Sequence, residues 1–137
     1  MTRTLFCTLL PVLLIAACGK ATRGSYDYPK KLGSRWDLVM QESLSPSTAP
    51  EAIRTLTILN VWRAKYKGDT GSATVTIYET PASVVAFEVL QKWRHEKGQV
   101  TFHQGIDFVV VESPEMTMQA MESMSNAIAT TLSGRGK

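Results

Sequence analysis

The chain has 137 residues, with 15 Lys and Arg against 12 Asp and Glu, two cysteines and a formal net charge of +3. The distribution of that charge argues against a nucleic-acid-binding domain. Residues 19–35 hold Lys20, Arg23, Lys30, Lys31 and Arg35 against Asp27 alone, whereas the residues from Trp36 onward carry more acid than base. A chain of this length buries about two thirds of its unfolded surface as a single domain, enough to fold without disulfides.

The first predicted element is a leader. Arg3 precedes an apolar run from Leu5 to Ile15, broken only by Thr8 and Pro11, and such a run suits a signal-peptide core rather than a bilayer span. It closes on Leu14-Ile15-Ala16-Ala17-Cys18-Gly19, with small residues where a protease must approach the backbone and a thiol directly after them. Ile15-Ala16-Ala17-Cys18 resembles the lipobox of bacterial lipoprotein precursors. The resemblance covers residues 1–19 only. It implies that residues 1–17 are removed, that the Cys18 thiol takes a diacylglycerol, and that the new N-terminus is acylated, as with palmitate. The mature protein would then be a lipid-anchored membrane protein of the bacterial cell envelope. In Gram-negative lipoproteins an aspartate after the acylated cysteine retains the protein at the inner membrane. Gly19 stands there instead, so the resemblance implies the outer membrane, facing the periplasm. Cys7 leaves with the leader, and a Cys18 held in a thioether leaves no thiol for a disulfide.

Residues 18–35 are expected to be a lipidated, basic, flexible tether, with Gly19, Gly24, Ser25, Gly33 and Ser34 for freedom. Next to anionic headgroups, each of its cations would contribute about 1 kcal/mol of membrane attraction. Residues 36–137 are expected to form the single domain.

Within it, Trp36, Leu38 and Met40 alternate with Asp37, Val39 and Gln41 as a short strand. Ser43 to Pro50 then reads as a loop, and Thr48, Pro50 and Glu51 open a helical turn through Arg54. From Thr55 to Lys67, Leu56, Ile58, Trp62, Ala64 and Tyr66 share one parity, while Arg63, Lys65 and Lys67 share the other. Ala73, Val75 and Ile77 alternate with Ser72, Thr74, Thr76 and Tyr78. With Gly68 to Gly71 as the connection, Lys67 faces Ser72, Lys65 faces Thr74 and Arg63 faces Thr76, which gathers every apolar group on one side. In a second hairpin, a three-residue loop Gln104-Gly105-Ile106 pairs Phe102 with Phe108 and Val100 with Val110. It also makes His103 and Asp107 neighbours on the face of Thr101 and Val109. A two-residue loop at Gln104-Gly105 is also sterically acceptable.

Each hairpin is followed by a helix signal. Glu79-Thr80-Pro81 and Glu112-Ser113-Pro114 offer a hydroxyl cap and a proline at the first helical position. The first helix is expected to run to Lys97 with Gly98 as its stop, burying Ala82, Val85, Ala86, Val89, Leu90 and Trp93, and the second from Glu115 to about Leu132. The expected fold class is α+β: an antiparallel sheet with helices packed on one face, an N-terminal strand followed by ββαββα order.

No catalytic motif stands out, and no cofactor or metal is expected. Met116, Met118, Met121 and Met124 offer soft thioethers of the kind that bind Cu(I), yet on a helix they fall on the arc of Ala120, Ala127, Ile128 and Leu132, which is a core face. His95 and His103 lie in no metal-ligand spacing. His103 and Asp107 could serve a small envelope hydrolase, the catalytic alternative to a non-catalytic binding or scaffolding module. The chain is read as the latter. Its expected binding face is Arg63, Lys65, Lys67, Thr74, Thr76 and Tyr78, a cationic stripe about 14 Å long. The partners it suits are an envelope protein, cell-wall polymer or anionic headgroups, with the membrane itself reached through the lipid on Cys18 and no nucleic acid involved.

Overall fold

The computed structural model describes residues 26–133. In chain order these form β1 (Lys31–Leu32), β2 (Trp36–Leu44), a 3-10 turn (Pro46–Thr48), α1 (Glu51–Arg54), β3 (Asn60–Gly68), β4 (Gly71–Glu79), α2 (Ser83–Lys92), β5 (Gln99–Gln104), β6 (Asp107–Glu112) and α3 (Met118–Leu132). The class is α+β. The six strands make one antiparallel sheet in the order β1-β2-β3-β4-β6-β5.

The β3–β4 hairpin has the register that its polarity dictates. Lys67 pairs with Ser72, Lys65 with Thr74, Arg63 with Thr76, and Tyr66, Ala64 and Trp62 with Ala73, Val75 and Ile77. Its turn is narrower than four residues, because Gly68 and Gly71 are themselves paired and only Asp69 and Thr70 lie between them. Gly68 is required by close packing: a Cβ there would sit 2.2 Å from the carbonyl oxygen of Arg35.

The second hairpin differs from expectation by one residue. His103 pairs with Phe108, Phe102 with Val109, Val100 with Val111 and Gln104 with Asp107, across a loop of Gly105 and Ile106. Gly105 has φ +57°, and among the described residues none other than glycine has positive φ. That is the requirement of a two-residue turn with glycine at its first central position, whose twist matches the flanking strands. The polarity pattern had no charge to forbid the slip, whereas turn geometry selects it.

The helices do not share one face of the sheet. Trp62, Ala64, Tyr66, Val75, Ile77, Val109 and Val111 form a core with Met116, Met121, Met124, Ile128 and Leu132 from the α3 segment. Residues of the opposite parity, Val61, Tyr78, Phe108 and Val110, pack with Ala49, Ile53 and Val89 from the α1 and α2 side. The physical reason is visible in Phe108-Val109-Val110-Val111, all buried: a continuous apolar strand needs cover on both faces. Leu56 and Ile58 join the α2-side core, before β3 begins, rather than the face of Trp62. The parity of β2 also breaks, since a bulge between Leu38 and Met40 turns Met40 to pair with Lys65 and leaves Val39 exposed.

The boundary expected at Trp36 lies inside the fold. Tyr28 and Leu32 are buried and belong to the α3-side core. The Tyr28 hydroxyl lies 2.8 Å from the carbonyl of Trp62 and 3.1 Å from that of Val75, and the Tyr66 hydroxyl donates to the carbonyl of Pro29 at 2.8 Å. Residues 26–35 are thus part of the domain and not tether. Lys30, Lys31 and Arg35 are exposed, with Lys31 paired to Asp37 at 3.0 Å.

Both long helices start later than their prolines suggest. Thr80 donates instead to the carbonyls of Ala82 and Ile106, and α2 begins at Ser83. Ser113 accepts from the amides of Glu115 and Met116 in a preliminary turn, and Thr117, accepting from the amide of Ala120, caps α3. The first helix also stops early, at Lys92. Trp93 is extended (φ −64°, ψ 130°), and its ring packs on Tyr78 and Phe108 with centroids 5.8 and 5.2 Å away.

Candidate functional site

The two helices cover unequal lengths of sheet. Strands β3 and β4 have nine residues each and span about 30 Å, whereas the ten residues of α2 span about 15 Å. Part of the α2 face is therefore uncovered, and the residues there are those of the expected binding face. Their order follows from the register. One row across the sheet reads Glu42–Arg63–Thr76–Val110–Thr101, and the next Met40–Lys65–Thr74–Glu112–Gln99.

The structure divides the expected face in two. Lys65 and Lys67 are exposed, and among the described residues no carboxylate lies within ion-pair distance of either. Thr74 beside them is half-buried. Arg63, Thr76 and Tyr78 instead floor a cleft of about 630 Å³, within the usual range for small-ligand sites. Val110, Glu112, Gln99 and Trp93 complete the interior, and Thr48, Pro50, Glu51, Arg94 and Glu96 stand exposed at the rim. Thr76 and Tyr78 are buried, so they are floor rather than the rim contacts an open stripe would offer.

The interior polar groups are unequally engaged. Gln99 is fixed: its side-chain oxygen accepts from the indole of Trp93 at 3.2 Å and the amide of Glu96 at 3.3 Å, and its side-chain nitrogen donates to Glu112 Oε2 at 3.1 Å. Arg63 is not. Among the described residues, the one carboxylate within ion-pair distance, Glu42, is 3.9 Å away, and the Arg63 Nε is buried with no hydrogen-bond partner. A buried donor left unmade costs about 1–3 kcal/mol, so this guanidinium gains from any acceptor that reaches it. Burial pushes the Tyr78 hydroxyl up to about 12, the charge of Arg63 pulling it down and that of Glu112 pushing it up. The phenol is therefore a neutral donor set between a cation and an anion.

The residues of the catalytic alternative are not brought together. His103 lies opposite Phe108 on the α2 face, with Phe87 edge-on at 5.8 Å, whereas Asp107 is fully buried on the α3 face in a row with Gln104, Glu79 and Asn60. The one-residue change of register separates them. Thr101 accompanies His103, and its hydroxyl contacts His95 Nδ1 at 3.3 Å. Met116, Met121 and Met124 are buried among apolar side chains, and Met118 points out to solvent. Cys18 lies outside the described residues.

Sequence reasoning did not place Trp93, Gln99 or Glu112 in the site. Glu112 reaches it because β4 pairs with β6 and not with the next strand in sequence, and Trp93 and Gln99 because α2 stops short. No family model matches the chain, and no curated protein or solved structure shows significant similarity to it.

Proposed function

We propose that the protein is a lipid-anchored bacterial envelope lipoprotein whose domain is a non-catalytic binding module, held at the outer membrane through Cys18 and facing the periplasm. The observation that carries the binding reading is the run of Arg63, Lys65 and Lys67 on the sheet face that α2 leaves open, with Arg63 on the floor of the cleft. Two exposed lysines, with no carboxylate in ion-pair reach among the described residues, steer an anionic partner by long-range attraction, and an under-satisfied arginine holds it. The Cys18 lipid confines the domain to a membrane surface, which raises its effective concentration toward other envelope components.

Two measurements test this. Metabolic labelling with a clickable fatty acid is expected to mark the wild-type chain and not Cys18→Ser, with residue 18 as the mature N-terminus; equal labelling of both overturns the anchor. Crosslinking in intact envelopes is expected to lose partners on joint Arg63→Glu and Lys65→Glu substitution, and to lose them also in high salt, since exposed charges are screened over about 8 Å at physiological ionic strength. An unchanged partner set refutes the binding face.

A further inference from the structure

Resting on that reading, we infer that the cleft takes a dipolar ligand, a short peptide of three or four residues with a free carboxylate and a free ammonium, its carboxylate at Arg63 and its ammonium at Glu112. The geometry of the floor sets both the polarity and the length. Arg63 is on β3 opposite Thr76, and Thr76 is opposite Val110, two residues before Glu112 on β6. Two strand spacings across and two residues along place these charges about 12 Å apart, because side chains on a sheet stand roughly perpendicular to it. An extended tripeptide spans at most about 11 Å and a tetrapeptide about 14 Å.

Each end lacks what the ligand supplies. Among the described residues, Arg63 Nε is buried without a partner and the one carboxylate in reach is Glu42 at 3.9 Å, so a terminal carboxylate gives the guanidinium fork the acceptor it is missing. Glu112 is held from one side by Gln99, through Oε2, while Oε1 has no protein donor among the described residues. Gln99 is itself clamped by Trp93 and Glu96, so the carboxylate is preorganised rather than mobile. Between the ends, the buried Thr76 and Tyr78 bring two hydroxyls to the floor, suited to the carbonyls and amides of a peptide backbone. The rim charges Arg94, Glu51 and Glu96 are exposed and screened, so the half-buried floor charges decide the orientation. A purely anionic ligand would meet Glu112 at the far end, and a neutral saccharide would leave Arg63 as it is.

The test is calorimetric titration of the full chain in detergent with trialanine and with a mixed-sequence tripeptide pool, each as the free peptide, the C-terminal amide and the N-acetyl derivative. The free peptides are expected to bind saturably, and each blocked form at least tenfold more weakly. Arg63→Gln is expected to erase the discrimination against the amide while keeping that against the acetyl form, and Glu112→Gln the converse. Urea midpoints of both variants verify that they fold, and if either does not, Arg63→Lys and Glu112→Asp replace them with reduced rather than erased discrimination. Absence of saturable binding by any free peptide overturns the inference, as does an acetyl or amide form that binds equally well. Partner crosslinking that stays sensitive to Lys65 in that event rejects the peptide alone and leaves the binding face standing.

Discussion

Replacing Tyr28 by alanine tests whether the segment before Trp36 is structural. Tyr28 is 3% exposed in the α3-side core, edge-on to Tyr26 at 4.7 Å and near Tyr66 at 6.3 Å, with its hydroxyl between two strand carbonyls. Truncating a buried aromatic costs about 3–5 kcal/mol through lost burial and the cavity left behind. The hydroxyl's hydrogen bonding adds about 1 kcal/mol. Tyr28→Ala is therefore expected to cost about 4–6 kcal/mol, a large fraction of the 5–15 kcal/mol typical of a whole domain, and Tyr28→Phe about 1 kcal/mol. In urea, with a slope of about 2 kcal/mol per molar, the alanine variant's midpoint falls by about 2–3 M. An exposed tether residue would change stability by about 0.5 kcal/mol at most. A Tyr28→Ala midpoint within that margin of wild type refutes the assignment of residues 26–35 to the fold.

The remaining predictions are briefer. Met121→Ala and Met124→Ala are expected to cost about 2–4 kcal/mol each in the same assay, and Met118→Ala, whose side chain is in solvent, far less. Gly105→Ala forces a β-carbon into φ +57° and is expected to cost about 1–2 kcal/mol, with Gly68→Ala costing more because its Cβ meets the Arg35 carbonyl oxygen. The Tyr78 phenol loses its proton near pH 12 in the fold and near 10 in an unfolded chain. The native state thus binds the proton more tightly, and stability is full below pH 10 and falls as pH rises from 10 to 12, by about 2 kcal/mol. Tyr78→Phe is expected to flatten that fall in urea melts across the range, and an identical pH profile refutes it.

How much of this was legible from residues alone varied with how local the governing interaction is. The β3–β4 register was legible because Arg63, Lys65 and Lys67 would face valine and isoleucine in any slipped pairing. The β5–β6 register was not, because Thr101, His103 and Val109 tolerate either face and the choice falls to Gly105. Of the residues that line the cleft, Arg63, Thr76 and Tyr78 were placed on one face by parity, since that depends on one strand at a time. Glu112 was not, because its place depends on β6 inserting between β4 and β5, a pairing no local pattern encodes. The two-sided burial of Phe108 to Val111 was the available clue that helices must lie on both faces. Tyr28 gave no such clue, because Tyr26 and Tyr28 stand among basic, small and proline residues with no longer apolar period around them, which is the composition of a linker.

The early end of α2 links the misplaced helix boundary to the existence of the site. Val89, Leu90, Trp93 and Lys97 keep a helical spacing, and on propensity alone nothing before Gly98 stops the helix. A helix continued from residue 82 to 97 would be about 24 Å long and would lie over the rows that contain Arg63 and Glu112. Instead, Trp93 leaves the helix, seats its ring against Tyr78 and Phe108, and donates its indole N–H to Gln99. Burying an aromatic ring is favourable by about 1.5–3 kcal/mol, more than the few tenths per residue that helix propensity offers over the turn given up. The same contact fixes Gln99 and through it Glu112, so the residue that uncovers the cleft also arranges its acidic end. Trp93→Ala therefore has an expected signature beyond lost stability: Glu112 loses its anchor through Gln99, and discrimination against an N-acetylated peptide weakens while that against an amidated one, which depends on Arg63, persists.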